Sequence, residues 1–388
     1  MKMKFEKLKI VSDENIPLID ELFGSLGQVQ RCSGRAMQAE TVSNTDVLLV
    51  RSVTKVGPAL LKNSNIQFVG TATIGTDHID QEFLAANNIA FTSAAGSNST
   101  SVTEYVMCGI LTVAKRMNLS LEGKTLGIIG HGNIGKKVAV MARALGLDVL
   151  INDPPLKDET GLDIYREFDE VIKADIVTFH VPMEKQGKYP TWHLLNNETM
   201  KMLNDQAIII NSSRGDVVDN IALKEHLKNS NCTAIMDVWA NEPDIDVELM
   251  ELTAIATPHI AGYSLDGKIN GSYMLYEKLC QWLEIPKQID VEELKPVPKL
   301  KKLAINTEKS DFEVLLEAMQ AVYPIEKDDK AMRKLVNTDH SDCPAYFDGL
   351  RKNYPIRREA ATLEIELKPF DGSIAEKLKT LGFKLTQK

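Results

Sequence analysis

Short apolar runs recur along most of the chain, each ending in a polar or glycine-bearing turn. In the first hundred residues they lie at 8–11, 46–50, 66–70 and 89–92, and read as buried strands. They run into Ser12-Asp13, Arg51-Ser52, Thr71 to Gly75, and Ala94-Ala95-Gly96. The segments between them, such as 17–26 and 80–87, are amphipathic. Strands alternating with helices predict a parallel sheet covered on both faces. A helix is predicted over 101–117, where Val102, Tyr105, Val106, Gly109, Ile110 and Val113 share a face. The alternation then resumes, with strands at 126–129, 149–151, 176–179, 207–210, 233–236 and 254–256. A long helix around 271–283 can return the chain to the first sheet.

The stretch 125–153, TLGIIGHGNIGKKVAVMARALGLDVLIND, has the most specific internal order. An apolar strand ends in Gly130-His131-Gly132-Asn133-Ile134-Gly135. A helix follows with Ile134, Val138, Met141, Ala142 and Leu145 on one face, Gly146 closes it, and a second strand leads to Asp153. Strand, GxGxxG turn, helix, strand and acid is the order of a dinucleotide-binding unit. Gly130 permits the tight turn, Gly132 lets a pyrophosphate approach, and Gly135 lets helix and strand pack closely. Asn133 and Ile134 open the helix, whose free N–H groups suit phosphates. Asp153 can accept from an adenosine ribose and would repel a 2′-phosphate, which favours NAD over NADP.

The predicted class is α/β, with two Rossmann-like doubly wound parallel-sheet domains, an inter-domain cleft and a small C-terminal α+β domain. The first, substrate-binding domain covers 1–100 and is completed by 265–287. The NAD-binding domain covers 101–264, and the C-terminal domain 288–388. The proline- and charge-rich stretch 286–298 reads as a linker. Beyond it, strands are predicted at 300–305 and 363–367, and helices at 312–322, 331–336 and 374–381.

Composition narrows the function classes. The net charge of −9 over 388 residues argues against a nucleic-acid-binding surface. Five scattered cysteines without CxxC spacing argue against a zinc site and a disulfide framework. No export signal or membrane span is legible, so a soluble cytoplasmic chain without a metal or membrane partner is expected. One basic cluster, Arg351-Lys352 with Arg357-Arg358, stands out in this acidic protein. It reads either as a solvated face or as a site for an anion.

Ligands of parallel sheets gather beyond the carboxyl ends of the strands. That makes Arg51, Ser52 and Thr73 candidate substrate contacts. In the second half Arg214, Glu242 and His259 each follow a predicted strand. An arginine fork can grip a carboxylate with two parallel hydrogen bonds. A histidine paired with a glutamate can exchange a proton with a hydroxyl or ketone. His78, His180 and His193 have no evident carboxylate partner and are expected to be structural.

Residues 45–265 resemble the D-isomer-specific 2-hydroxyacid dehydrogenases. The likeness rests on VRSVTKV (50–56), GTATIGTDHID (70–80), GIIGHGNIGKKV (127–138), HVP (180–182), NSSRGDVVD (211–219), DVWANEP (237–243) and PHIAGYS (258–264). It implies that Arg214 binds the substrate carboxylate, Glu242 assists the histidine and His259 is the acid–base. It adds Tyr263 to the substrate contacts, and Val181, Ser212, Ser213, Arg214, Asp237 and Gly262 to the NAD pocket. One branch of the family also shares DPP (153–155), HIAGYSLDGK (259–268) and a C-terminal FDGLRKNYPIRRE (347–359). That likeness implies a small phosphorylated 2-hydroxy acid substrate and a homodimer formed through the C-terminal domain. Ser212-Ser213 stands where relatives often have Ala-Cys, and small residues remain small. Phosphoglycerate dehydrogenases and glyoxylate or hydroxypyruvate reductases share the same core, and an NAD-sensing corepressor uses the fold as a binding scaffold.

Overall fold

The structure is a computed structural model that describes residues 7–386. The chain forms two compact units. One comprises the residues up to Asn98 with Ser264–Val297, and the other Ser99–Tyr263 with the residues from Pro298 onward.

The first unit is built on a five-stranded parallel sheet. Its strands are β1 (Leu8–Asp13), β2 (Gly27–Cys32), β3 (Val47–Val50), β4 (Phe68–Thr71) and β5 (Ala90–Ser93), in the order β2-β1-β3-β4-β5. Period-2 alternation divides its core in two. Val47 and Leu49 face one side with Leu275, Tyr276 and Leu279 of the helix Leu265–Trp282. Leu48 and Val50 face the other, with Val11, Val69 and Leu84. The late helix therefore does return to the first sheet. β2 was not expected, because GQVQRC carries no apolar run. It is an edge strand in which only Gly27 is buried.

The second unit holds six parallel strands: β6 (Thr125–Ile129), β7 (Asp148–Asn152), β8 (Ile176–Phe179), β9 (Ile208–Asn211), β10 (Thr233–Met236) and β11 (Ile255–Ala256). Their order is β11-β10-β9-β8-β6-β7. Alternation again assigns the faces. Ile128, Ile176, Ile208, Ile210 and Ile235 join the helix Ser99–Met117, while Phe179, Ile209, Ala234 and Met236 join the opposite cluster. Full burial of each such side chain contributes about 1.5–3 kcal/mol.

A third, parallel sheet of β12 (Lys302–Asn306), β13 (Glu364–Lys368) and β14 (Lys384–Leu385) lies in this same unit. Its Ile305 and Ile365 belong to one apolar cluster with Val106 and Ile110. Polar ties reinforce that attachment. Ala256 at the end of β11 donates its N–H to Asp329 (2.9 Å), and Arg333 donates to the Thr253 carbonyl (2.8 Å). The short edge strand β11 is thereby covered rather than left open. The helix Cys343–Lys352, unread in the sequence, buries Cys343 and Phe347 against the β8–β10 face.

Candidate active site

Three loops that leave β9, β10 and β11 are folded onto one another. After β9, the Asn211 carboxamide organises the turn: its Oδ1 accepts from Ser213 N (3.2 Å) and Oγ (2.9 Å), and its Nδ2 donates to the Arg214 carbonyl (2.9 Å). Arg214 is half-buried and donates from Nη1 to the Ser213 carbonyl (2.8 Å). A Cβ on Gly215 would lie 2.0 Å from the Trp239 carbonyl oxygen, so only glycine lets the loops after β9 and β10 meet.

Asp237, the residue after β10, is the post around which the next loop turns. Its Oδ1 accepts from Thr257 Oγ1 (2.6 Å) and Ile260 N (2.8 Å), and its Oδ2 from Ala261 N (2.9 Å). Its carbonyl accepts from His259 N (2.7 Å). Burial pushes the Asp237 carboxyl up and outweighs the opposing pull of His259 and these donors. Bound in this way, His259 adopts a left-handed backbone, φ 57°.

The His259 ring meets Glu242, with Nδ1 2.7 Å from Oε2, while Glu242 Oε1 accepts from Trp239 N (2.8 Å). Burial alone would raise the Glu242 carboxyl. The nearby imidazole, its hydrogen bond and the Trp239 N–H outweigh that, holding the group below the ordinary carboxylate range. An ionised Glu242 can only accept, so Nδ1 carries the proton and Nε2 is left for chemistry. The side chains are 36% and 18% exposed, open enough for a substrate yet partly dry.

The glycine turn fits a dinucleotide. Gly130 has φ +94°, and a Cβ there would strike the His180 carbonyl at 2.5 Å. At Gly135 a Cβ would sit 2.0 Å from the Gly130 oxygen, which is the close packing of helix on strand. At Gly132 a Cβ would meet nothing within 4 Å, so this position opens outward above the N-terminus of the helix Asn133–Ala144. Asp153 accepts from His131 N (2.7 Å) and Leu156 N (3.0 Å), which ties the turn to the acid and caps the following helix. Val181 lies against the turn, and Ser212 keeps a buried hydroxyl with no hydrogen-bond partner. An outward-open glycine and an unsatisfied hydroxyl are what a bound NAD would use.

Arg51, Ser52 and Thr73 lie in the first unit, just past β3 and β4. Thr73 shares a chain of hydrogen bonds with Thr71 (2.7 Å) and, through it, His78 Nε2 (3.0 Å). In the second unit His180 is half-buried, with Nδ1 enclosed and Nε2 on Thr178 (2.9 Å), and desolvation pushes it down to about 3. His193 does have a carboxylate neighbour, Asp219, at 3.6 Å. His131 packs edge-on against Tyr165.

The basic cluster is neither uniformly solvated nor uniformly available to an anion. Arg357 is 6% exposed, lies 4.1 Å over the Tyr323 ring, and donates to the Ala261 carbonyl (2.7 Å) and the Ser101 hydroxyl. It is a structural strut beneath the catalytic loop. Arg351 instead reaches Tyr263, its guanidinium 6.0 Å from the ring centroid. Sequence reading also missed the buried support formed by Thr257 with Tyr105 (2.9 Å), although a threonine just before Pro258-His259 was a usable signal.

Known proteins share this family and fold. A family model described as D-isomer specific 2-hydroxyacid dehydrogenase, NAD binding domain, matches residues 94–261. A second, described as a domain of unknown function (DUF3410), matches 294–382. An erythronate-4-phosphate dehydrogenase of Tolumonas auensis is 46% identical, over 84% of this chain and 88% of its own. That of Hahella chejuensis is 40% identical over 98% of this chain and all of its own. Among solved structures, D-lactate dehydrogenase of Aquifex aeolicus shares the fold at 23% identity and a TM-score of 0.57, covering 71% of this chain and 96% of that one. The 3-phosphoglycerate dehydrogenase of Entamoeba histolytica does so at 21% and 0.62, covering 73% and 99%. With the His259–Glu242 pair, the glycine turn and near full-length relatives together, the chain belongs to the erythronate-4-phosphate dehydrogenases, NAD-dependent oxidoreductases of the D-isomer specific 2-hydroxyacid dehydrogenase family.

Proposed function

We propose that the protein oxidises 4-phospho-D-erythronate to (R)-3-hydroxy-2-oxo-4-phosphooxybutanoate in pyridoxine (vitamin B6) biosynthesis, in the cytoplasm, as a homodimer formed through its C-terminal domain. The substrate follows from the name its relatives carry. The observation that carries the chemistry is the 2.7 Å contact between His259 and Glu242, on loops from neighbouring strands.

In this reading Arg214 grips the C1 carboxylate and orients the substrate. His259 takes the C2 hydroxyl proton on Nε2, and Glu242 stabilises the imidazolium that forms. NAD, when bound, supplies the acceptor for the electron pair and hydrogen of the breaking C2–H bond. C2–O becomes the ketone, and the proton leaves by His259. Gly130, Gly132, Asn133, Ile134, Gly135 and Asp153 hold the nucleotide, with Val181, Ser212, Ser213, Arg214, Asp237 and Gly262 around it. Arg51, Ser52, Thr73 and Tyr263 contact substrate.

The test is a comparison of 4-phospho-D-erythronate with 3-phospho-D-glycerate on purified protein. NAD is supplied with a 2-oxo acid as second acceptor, in case NADH is retained. A higher kcat/KM on phosphoerythronate is expected. A preference for phosphoglycerate would overturn the substrate while keeping the site.

A further inference from the structure

The solved relatives described above cover 71% and 73% of this chain, whereas residues 294–382 match a separate family model of unknown function. That C-terminal segment is in contact with the catalytic loop. Arg357 supports it from below through the Ala261 carbonyl. The helix Cys343–Lys352 approaches from the side, anchored by Cys343 and Phe347, and carries Arg351 near its end.

Arg351 is unusual among the basic residues here. Its side chain is 27% exposed, and it lies against the face of Tyr263, the residue four past His259. Tyr263 in turn packs edge-on against Tyr354, at 5.8 Å between centroids, so a second ring braces it. Asp348 pairs with Arg351 only at 3.8 Å, too far for the bidentate pairing that would use up the guanidinium. Its Nε is buried with no hydrogen-bond partner. Arg351 shares a hydrogen bond with the Tyr263 side chain, but no carboxylate neutralises it in close contact, and a partly desolvated cation held beside that tyrosine calls for an anion. Glu242 also feels this charge, which places Arg351 within electrostatic reach of the proton-transfer pair.

We propose that Arg351, delivered by the C-terminal module to the Tyr263 end of the catalytic loop, recognises the phosphate of the substrate and sets the specificity for a phosphorylated 2-hydroxy acid. This rests on the reading above that the substrate is phosphorylated. With the C1 carboxylate on Arg214 and C2 at His259, the far end of a four-carbon acid needs a cation distinct from Arg214. Arg357 also keeps two unpartnered nitrogens, but it is 6% exposed, lies over the Tyr323 ring and spends Nη2 on the Ala261 carbonyl and the Ser101 hydroxyl, so it is less accessible to a substrate than Arg351.

The test measures kcat/KM on 4-phospho-D-erythronate and on unphosphorylated D-erythronate for wild type, Arg351→Met, Arg351→Lys and Arg51→Met. If wild type shows no preference for the phosphorylated acid, the functional reading itself fails. Given that preference, Arg351→Met should reduce the ratio of the two kcat/KM values roughly 10- to 100-fold, chiefly through KM, the range expected for one charge-assisted contact. Arg351→Lys should recover part of it. NADH binding measured by fluorescence should be retained in each variant, which separates the effect from misfolding. An unchanged ratio in Arg351→Met, an equal loss on both substrates, or a selective loss in Arg51→Met alone would overturn the proposal.

Discussion

At the scale of single residues, what matters is how each charge is partnered. Asp237 is buried and Glu242 half-buried on one loop pair, and they are pushed in opposite directions. Asp237 has donors on both oxygens and is still raised by burial, whereas contact with His259 keeps Glu242 low. The first is a fastener for the His259 loop and the second a partner for its ring. His180 shows a different consequence of burial. The unfolded chain takes up a proton near pH 6.5, while the folded chain refuses it until about pH 3. Stability is therefore lost as the pH falls below about 6.5, by about 2 kcal/mol at pH 5. Urea unfolding of wild type and His180→Asn at pH 7 and pH 5 should show that the variant loses less stability on acidification. Equal losses would contradict this.

At the scale of elements, strands could be read wherever they were buried on both faces. The runs at β3, β8 and β10 appear in the structure within a residue of their expected bounds. The edge strand β2 escaped because a strand with one buried residue leaves no hydrophobic signal. The Cys343–Lys352 helix escaped for another reason. Cys343 and Phe347 do recur at helical spacing, but Pro344 in its first turn and Gly349 within it weaken the helical signal. The backbone geometry of the glycine turn was legible, with the tight turn at Gly130 and the close packing at Gly135, and it can be tested position by position. Gly132→Ala, at φ −77° and facing open space, should leave thermal stability within about 1 kcal/mol of wild type while raising KM for NAD. Gly135→Ala places its methyl on the Gly130 oxygen and should destabilise the fold by more than that. Equal thermal behaviour of the two variants would contradict the assignment.

At the scale of the whole molecule, the unexpected feature is where the C-terminal segment belongs. Sequence composition marked a linker near 286–298, and the chain does pass between units at Val297 and Pro298. The segment beyond it, however, shares a core with the nucleotide-binding sheet. That partnership was not legible, because it joins residues far apart in sequence through Arg357, Asp329 and Arg333. Arg357 is its most exposed weakness in energetic terms. Besides its own hydrogen bonds, it lies in the field of the buried Glu104, whose Oε1 accepts from Ala360 N (2.7 Å). Arg357→Met would leave Glu104 without that positive charge, and a cost of roughly 3–5 kcal/mol is expected in chemical denaturation. A change below about 1 kcal/mol would show that the strut is not needed.

If His259 takes the hydroxyl proton, the hydrogen on C2 of the phosphorylated 2-hydroxy acid must leave to NAD. Single-turnover oxidation of 4-phospho-D-erythronate deuterated at C2, followed in wild type and His259→Gln, reads both transfers. Deuterium is expected in the NADH formed by wild type, with a rate at least about 100-fold lower in the variant while NAD binding is retained. NADH free of deuterium, or a variant that turns over at the wild-type rate, would contradict it.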